Sequence, residues 1–547
     1  MSQVSLMGQS PLGQTPPTDG EDFRHRITDP PQPGWETWWL WASERINPIV
    51  VKEVRQSLKS KQFTISFGLT LIAAVSWTLI AISLMVPRIF YMPAGIPLLS
   101  GYFCILVIPL MVIIPFGAFL SLTSETEDST FELLSISALS ALQIVHGKMA
   151  SSCVQILLYL SALAPCIVLT YLLRGVGLYT ILFFLAWTVV LSVCETALAL
   201  LLGAIARTRM LQVGAAVAAL AGLFFGVGTW LSFLLSFGLS NLTTPVSGEL
   251  VAFFAIFTIL AVAVSLVLRA AAAAIDFPSE NHSTPLRRRI FGLLSLIFFW
   301  STLGVVYVEE MEVANVLLTG MFIFLMAIGA LVTGERGIIS PRAQRGLPKT
   351  FFGRALLTWF YPGAGLGYIF VVCLFAAQVG TIAVLDLFYE GKFRSGRDVG
   401  TIVIGYMLLV YLVFYVGLNR LLMMLVPRQV PARILASIAL MIATLVMAHM
   451  LPLFLAYYAN DYRDFSYAWH QAFNIFWTYD EADSRNSLDI GASLLIVTLC
   501  AIVVFGLNLI FCTRDVMMVR VVVPPRIRQD DNLNQPTSPV PADPFAD

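Results

Sequence analysis

"SETEDSTFELLSISALSALQIVHGK", Ser124–Lys148, stands between two long apolar runs, 98–122 and 149–173. Its acids crowd the start, at Glu125, Glu127, Asp128 and Glu132, and it ends on Gly147-Lys148. Ser129-Thr130-Phe131-Glu132 fits the S-x-x-E capping box, in which the serine hydroxyl accepts from the glutamate amide and the glutamate carboxylate accepts from the serine amide. Negative charge ahead of a helix start is favoured by about 0.3–1 kcal/mol per residue. A helix is therefore expected to begin near Thr130. Its apolar residues fall on two faces. Phe131, Leu134, Ala138, Leu142 and Val145 share one, and Leu133, Ile136 and Ile144 lie roughly opposite. One face can pack under the rest of the protein. The other needs a second partner, unless the segment folds back on itself.

The surroundings decide the class. The chain has 547 residues, 58% hydrophobic and 12% charged, with a mean hydropathy of +0.81. Soluble domains carry about 25% charged residues. The charges cluster between apolar runs, and about 20 apolar residues span a bilayer as a helix. Such a helix satisfies its own backbone hydrogen bonds where there is no water. The expected fold is an all-α polytopic membrane protein. Twelve candidate spans run over 63–86, 98–122, 149–173, 178–205, 211–239, 250–268, 290–308, 313–333, 363–388, 399–419, 433–458 and 488–512.

An even count puts both termini on one side. With the termini cytosolic, the inner segments hold 26 of the 33 Lys and Arg residues and the outer loops hold 7. This is the bias of the positive-inside rule. Segment 124–148 is then cytosolic. The seven cysteines show no paired spacing and read as packing residues, not as disulfides or a zinc site. The first forty residues have no signal-peptide core. Nothing in the charge pattern points to nucleic acid.

Residues 1–44 read as a disordered cytosolic tail with a Trp-rich end, Trp35–Trp41, and residues 516–547 as a second tail. "NPIVVKEVRQSLKSKQF" follows the first tail. Val50, Val51, Val54 and Leu58 share one helical face, with Lys52, Glu53, Gln56, Lys59 and Ser60 on the other. Segment 45–62 is expected to be an amphipathic elbow helix on the inner membrane surface, its polar face toward headgroups. A merely basic flank is the plainer alternative.

Together these two stretches resemble the ABC-2 type transporter permease family. The family's coupling segment runs E-R-E-x-G-T-L-E-L-L, with an Ile-Val and a Gly-Lys opening the third span. Glu125, Glu127, Thr130, Glu132, Leu133, Leu134, Leu139, Ser140, Ile144, Val145, Gly147 and Lys148 match it. Asn47, Pro48, Lys52, Glu53 and Arg55 match the family's elbow. Thr126 and Ser129 depart from the usual Arg and Gly. Ala138 stands where a proline usually breaks the segment, which implies one longer helix. The resemblance covers about residues 45–270, the first six spans.

The resemblance implies that 63–270 is a six-span permease half and that 124–148 docks a separate ABC ATPase subunit. Glu125, Thr130, Glu132, Leu134, Leu139, Gly147 and Lys148 are the implied docking residues. ATP and magnesium would sit on that partner, and no cofactor would be bound by this chain. The chain has no P-loop, since neither 147–148 nor 391–392 has a glycine five residues earlier or a Ser or Thr after the lysine. Export across a bacterial inner membrane is the implied task. The second six spans, 271–515, carry no recognised motif. The chain is then half of a homodimer or a self-contained twelve-span pore. The alternatives are a twelve-span secondary transporter and a membrane scaffold without transport.

Glu195, in span 4, and His449, in span 11, are the titratable residues deepest inside spans. Such groups usually face the protein interior. Each reads as an interhelical tie or as a pathway group. Asp386 and Arg420 are expected at the interface. Arg287, Arg288 and Arg289 are accounted for by positive-inside anchoring. Segment 334–354 holds the same ordinal place in the second half as 124–148 does in the first, and its Glu335 and Arg336 faintly repeat the leading Glu-Arg. The aromatic outer loop 459–487 is expected to pack on the span ends.

Overall fold

The computed structural model describes residues 48–127, 140–238, 247–276, 281–308, 311–335, 350, 357–388, 401–427, 433–459, 467, 469–483 and 487–521. No strand occurs among them. Eleven helices among the described residues are long and apolar enough to cross a membrane. The remaining expected run, 290–308, lies in a helix of 26 residues whose first turns carry Arg287, Arg288 and Arg289. Large apolar side chains cover the outside, among them Leu84, Phe225 and Ile323. A soluble protein rarely exposes so much contiguous apolar surface. The chain is an integral membrane protein.

The first half opens with α1 (Pro48–Leu58) and α2 (Lys61–Met85). Ser60 separates them as an extended N-cap whose hydroxyl accepts from the Phe63 amide. The second long helix is made of α3 (Gly95–Ile108), a π turn (Pro109–Ile113) and α4 (Ile114–Glu127). Pro109 has no N–H to continue an α-helical ladder, and the widened turn leaves the Leu110 carbonyl free to accept from the Ser192 hydroxyl at 2.5 Å. Then come α5 (Ala141–Leu172), α6 (Leu178–Ile205), α7 (Arg209–Phe233) and α8 (Ser247–Ile275). The second half comprises α9 (Ser283–Val308), α10 (Met311–Thr333), α11 (Ala364–Phe388), α12 (Thr401–Leu425), α13 (Arg433–Ala459), short α14 (Ile475–Asp483) and α15 (Ser487–Val521).

Two boundaries correct the sequence reading. The third long helix begins at Ala141, not near 149, so Leu142, Ile144 and Val145 belong to it. Ser140 is its N-cap, extended at φ −77° and ψ 149°, in a reciprocal capping box with Gln143. The chain therefore breaks at this point without a proline, against the expectation of one longer helix. The last helix continues to Val521, so residues 516–521 are helical and not part of a tail. The expected helix start at Thr130 lies outside the described residues.

The two halves share a packing order. In the first, α4 lies along α6 and α6 along α8; α3 packs on α5, and α5 on α6 and α8. Helix α2 touches α3 and α5, and α7 touches the π turn and α6. In the second, α10 lies along α12 and α12 along α15; α10 packs on α11, and α11 on α12 and α15. Helix α9 touches α10 and α11, and α13 touches α10 and α12. Numbered by place in its half, every pair in one list has its counterpart in the other. The cores are separate as well. Two buried clusters draw on residues 74–272 and a third on 290–512. The halves meet mainly where α8 packs on α9.

Candidate functional site

The elbow helix does not lie free. Helix α1 packs along α5, and the contact is possible because of Gly147. A Cβ there would stand 2.6 Å from the Ile49 Cγ2, closer than side chains tolerate, so only glycine admits the elbow at this depth. One residue on, Lys148 is 3% exposed. Its ammonium donates to Glu125 Oε1 at 2.9 Å, to Ser121 Oγ at 2.7 Å and to the Ser121 carbonyl at 3.3 Å, and reaches Glu53 Oε2 at 3.5 Å. A buried cation is tolerable only when its hydrogen bonds are met in this way. Ser57 and Ser151 hydroxyls, 2.9 Å apart, add a second tie between α1 and α5.

The elbow is consequently rotated relative to its expected pose. Glu53, placed by helical spacing on the headgroup face, is buried against Lys148, while Val51, placed on the apolar face, is exposed. Simple amphipathicity could not show this, because a single buried carboxylate inverts the face once a cation waits below it.

The second half has its own buried cation. Arg287 is 1% exposed. It donates to the carbonyls of Trp359 at 3.0 Å, Tyr361 at 2.6 Å and Gly363 at 3.1 Å, and to Glu335 Oε2 at 2.5 Å. Gly363 has φ +146°, a backbone form that disfavours side chains. Its amide donates to the same carboxylate oxygen. Arg287 is thus not a mere positive-inside anchor, whereas its neighbour Arg288 is exposed. In each half one buried cation gathers the same three elements: the C-terminal end of the second long helix, at Glu125 or Glu335, the start of the third, and the start of the first or the elbow before it.

Of the implied docking residues, Glu125, Gly147 and Lys148 are brought together by the structure. Thr130, Glu132, Leu134 and Leu139 lie outside the described residues. Gly147 and Lys148 are interior, turned toward the chain's own elbow. Glu195 projects from α6 against α7, where a Cβ on Gly226 would stand 2.1 Å from its Oε1. Among the described residues no hydrogen-bond partner reaches Glu195 Oε2. His449 is a tie to the segment that leads into α14. Asn474 Oδ1 accepts from the Trp477 amide, so the ring nitrogen 2.8 Å from that oxygen, Nδ1, is the donor. Phe476 packs edge-on against the imidazole.

Arg420 is another correction. It is 2% exposed, not interfacial, and donates to the Asn508 carbonyl at 2.8 Å and Oδ1 at 3.0 Å. Asn419 donates to the hydroxyls of Thr333 and Ser437, joining α10, α12 and α13. The available signal was an asparagine inside an apolar run, at Asn508 and Asn419. The Asp386 side chain lies outside the described residues. The seven cysteines are all free. No family model, no curated protein and no solved structure matches the chain.

Proposed function

We propose that the chain is the membrane permease of an ABC transporter of the ABC-2 type, exporting a substrate on ATP hydrolysed with magnesium by a separate ATPase subunit. The observation that supports it most is the Glu53–Lys148–Glu125 cluster. Its residues come from the elbow and from both ends of segment 124–148, the two stretches that carry the resemblance, and their packing ties those stretches into one unit. A push on 128–139 from below would act on the inner ends of α4 and α5 together. Gly147 and Lys148 then serve docking indirectly, by holding the helix that follows the docking segment. Twelve spans with both termini in the cytosol of a bacterial cell complete the reading. The repeated packing order favours one chain supplying both six-helix units over a homodimer of chains.

The test is recovery of an ATPase subunit with the tagged chain from its native membrane. The expected result is a co-purifying Mg²⁺-dependent ATPase activity, absent from the chain alone, that is weakened by Leu139→Arg more than by Glu132→Arg and little by Ser340→Arg. Equal recovery with all three variants would refute docking through 124–148. Glu195 favours the rival reading, a secondary transporter, because a carboxyl buried within the membrane can carry a proton. Flux driven by a pH gradient without nucleotide, and lost in Glu195→Gln, would establish that rival instead.

A further inference from the structure

The charged cluster borders an open space. A cavity of about 370 Å³ lies between α1, α2, α4 and α5. It exists because α2 packs on α3 and the π turn but stands away from α4. Its wall is rich in hydroxyls and amides, with Ser57, Ser66, Ser121, Ser151, Gln155 and Tyr159 among the lining residues. These polar groups share the wall with Phe63, Ile113, Ile114 and Leu120, so the hollow is amphipathic, as a headgroup site beside lipid would be. Its edge residues Gln62 and Leu120 are exposed, one on each side of the seam between α2 and α4. On α2, three and seven residues beyond Gln62, Ile65 and Leu69 present bare apolar surface, 69% and 66% exposed. A headgroup in the cavity would leave its chains lying on these residues.

Charge narrows the ligand. Lys148 spends its short contacts on Glu125 and Ser121 and reaches Glu53 only at 3.5 Å. Glu53 therefore keeps acceptor capacity and negative charge, and it lines the cavity. A primary ammonium suits it. The exposed side of the same helix carries Lys52, Arg55 and Lys59, at spacings of three and four, around a groove that shares Gln56 with the cavity. A phosphate suits that stripe. Gln56 lines both spaces and is the place where an amine joined to a phosphate would pass from one to the other.

We infer that this cavity binds the headgroup of a primary-amine phospholipid of the cytosolic leaflet, with its ammonium at Glu53 and its phosphate at the Lys52–Arg55–Lys59 stripe. The site stands whether or not the chain is an ABC permease. The full chain would be placed in phosphatidylglycerol nanodiscs carrying photoactivatable phosphatidylethanolamine or, at equal mole fraction, phosphatidylcholine, and crosslinks mapped by peptide. Phosphatidylethanolamine should label α1, α2 and α4 several-fold more than phosphatidylcholine, whose quaternary amine cannot donate a hydrogen bond. Glu53→Gln should erase that preference. Gly117 lines the cavity and a Cβ there meets nothing within 4 Å. Gly117→Leu should therefore enter the space through an unobstructed Cβ and remove the labelling while the melting temperature holds, and Gln155→Trp should do the same from α5. Equal labelling by the two lipids would overturn the amine assignment. Labelling unchanged in both filled variants would overturn the cavity. Displacement of the label by free phosphoethanolamine at a concentration equal to that of the lipid, so that the acyl chains add no affinity, would show that a soluble group, and not a lipid, is the ligand.

Discussion

Replacing Lys148 by Met keeps the length and apolar stem of the side chain and removes its charge. Glu53 and Glu125 then face each other across a buried space without the cation between them. The side chain of Lys148 is 2% exposed and those of its partners 10% and 17%, so solvent screens little of the loss. Removing one partner of a buried ion pair costs about 3–5 kcal/mol. The first half has its own buried core, and a unit of this size loses about 2–4 °C of Tm per kcal/mol. The melting temperature of the first half should fall by roughly 6–20 °C. The assay is thermal unfolding of the purified full chain, with the other six cysteines replaced, in one detergent, followed by a thiol-reactive dye on Cys153, which is packed against the first half's core. The decisive control is the triple variant Lys148→Met, Glu53→Gln, Glu125→Gln, which removes the stranded charges. It should recover most of the loss, because the penalty lies in unpaired charge and not in lost packing. A single variant that melts with the parent would show that the cluster does not hold the helix ends. A triple variant as unstable as the single one would show that charge is not the reason.

Three further outcomes follow from the same geometry. Gly147→Val should push Ile49 and the elbow off α5, costing about 1–3 kcal/mol by overpacking, and Ile49→Ala should restore part of it; protease sensitivity at the elbow reads both. Arg287→Met should destabilise the second half by about 3–5 kcal/mol while Arg288→Met leaves it nearly unchanged; equal effects would mean both arginines act only as surface anchors. His449→Leu should cost about 0.5–1.5 kcal/mol through its lost hydrogen bond and leave any transport rate intact, and a loss of transport at unchanged stability would return the residue to the pathway.

Hydropathy alone revealed the class of the fold, because a helix crossing a bilayer must be apolar over its whole length and the lipid leaves that requirement in every span. It did not mark where the chain turns: Ser60 reads as part of the elbow segment and Ser140 as part of a helix beginning near Thr130, because a capping box also fits at Ser129, whereas both serines are N-caps in the structure. The Gly147-Lys148 pair and Glu53 stood out as motif residues, but not as neighbours. They lie 95 positions apart in the case of Lys148 and Glu53, and charge carries no address for its partner. The same limit hid Arg287, whose burial depends on three carbonyls more than seventy residues away. The shared packing order of the halves was out of reach for a related reason. Lipid-facing and core-facing residues of a membrane helix are both apolar, so the pattern that names the inward face of a soluble helix is nearly silent here, and only the assembled structure shows which helix each one touches.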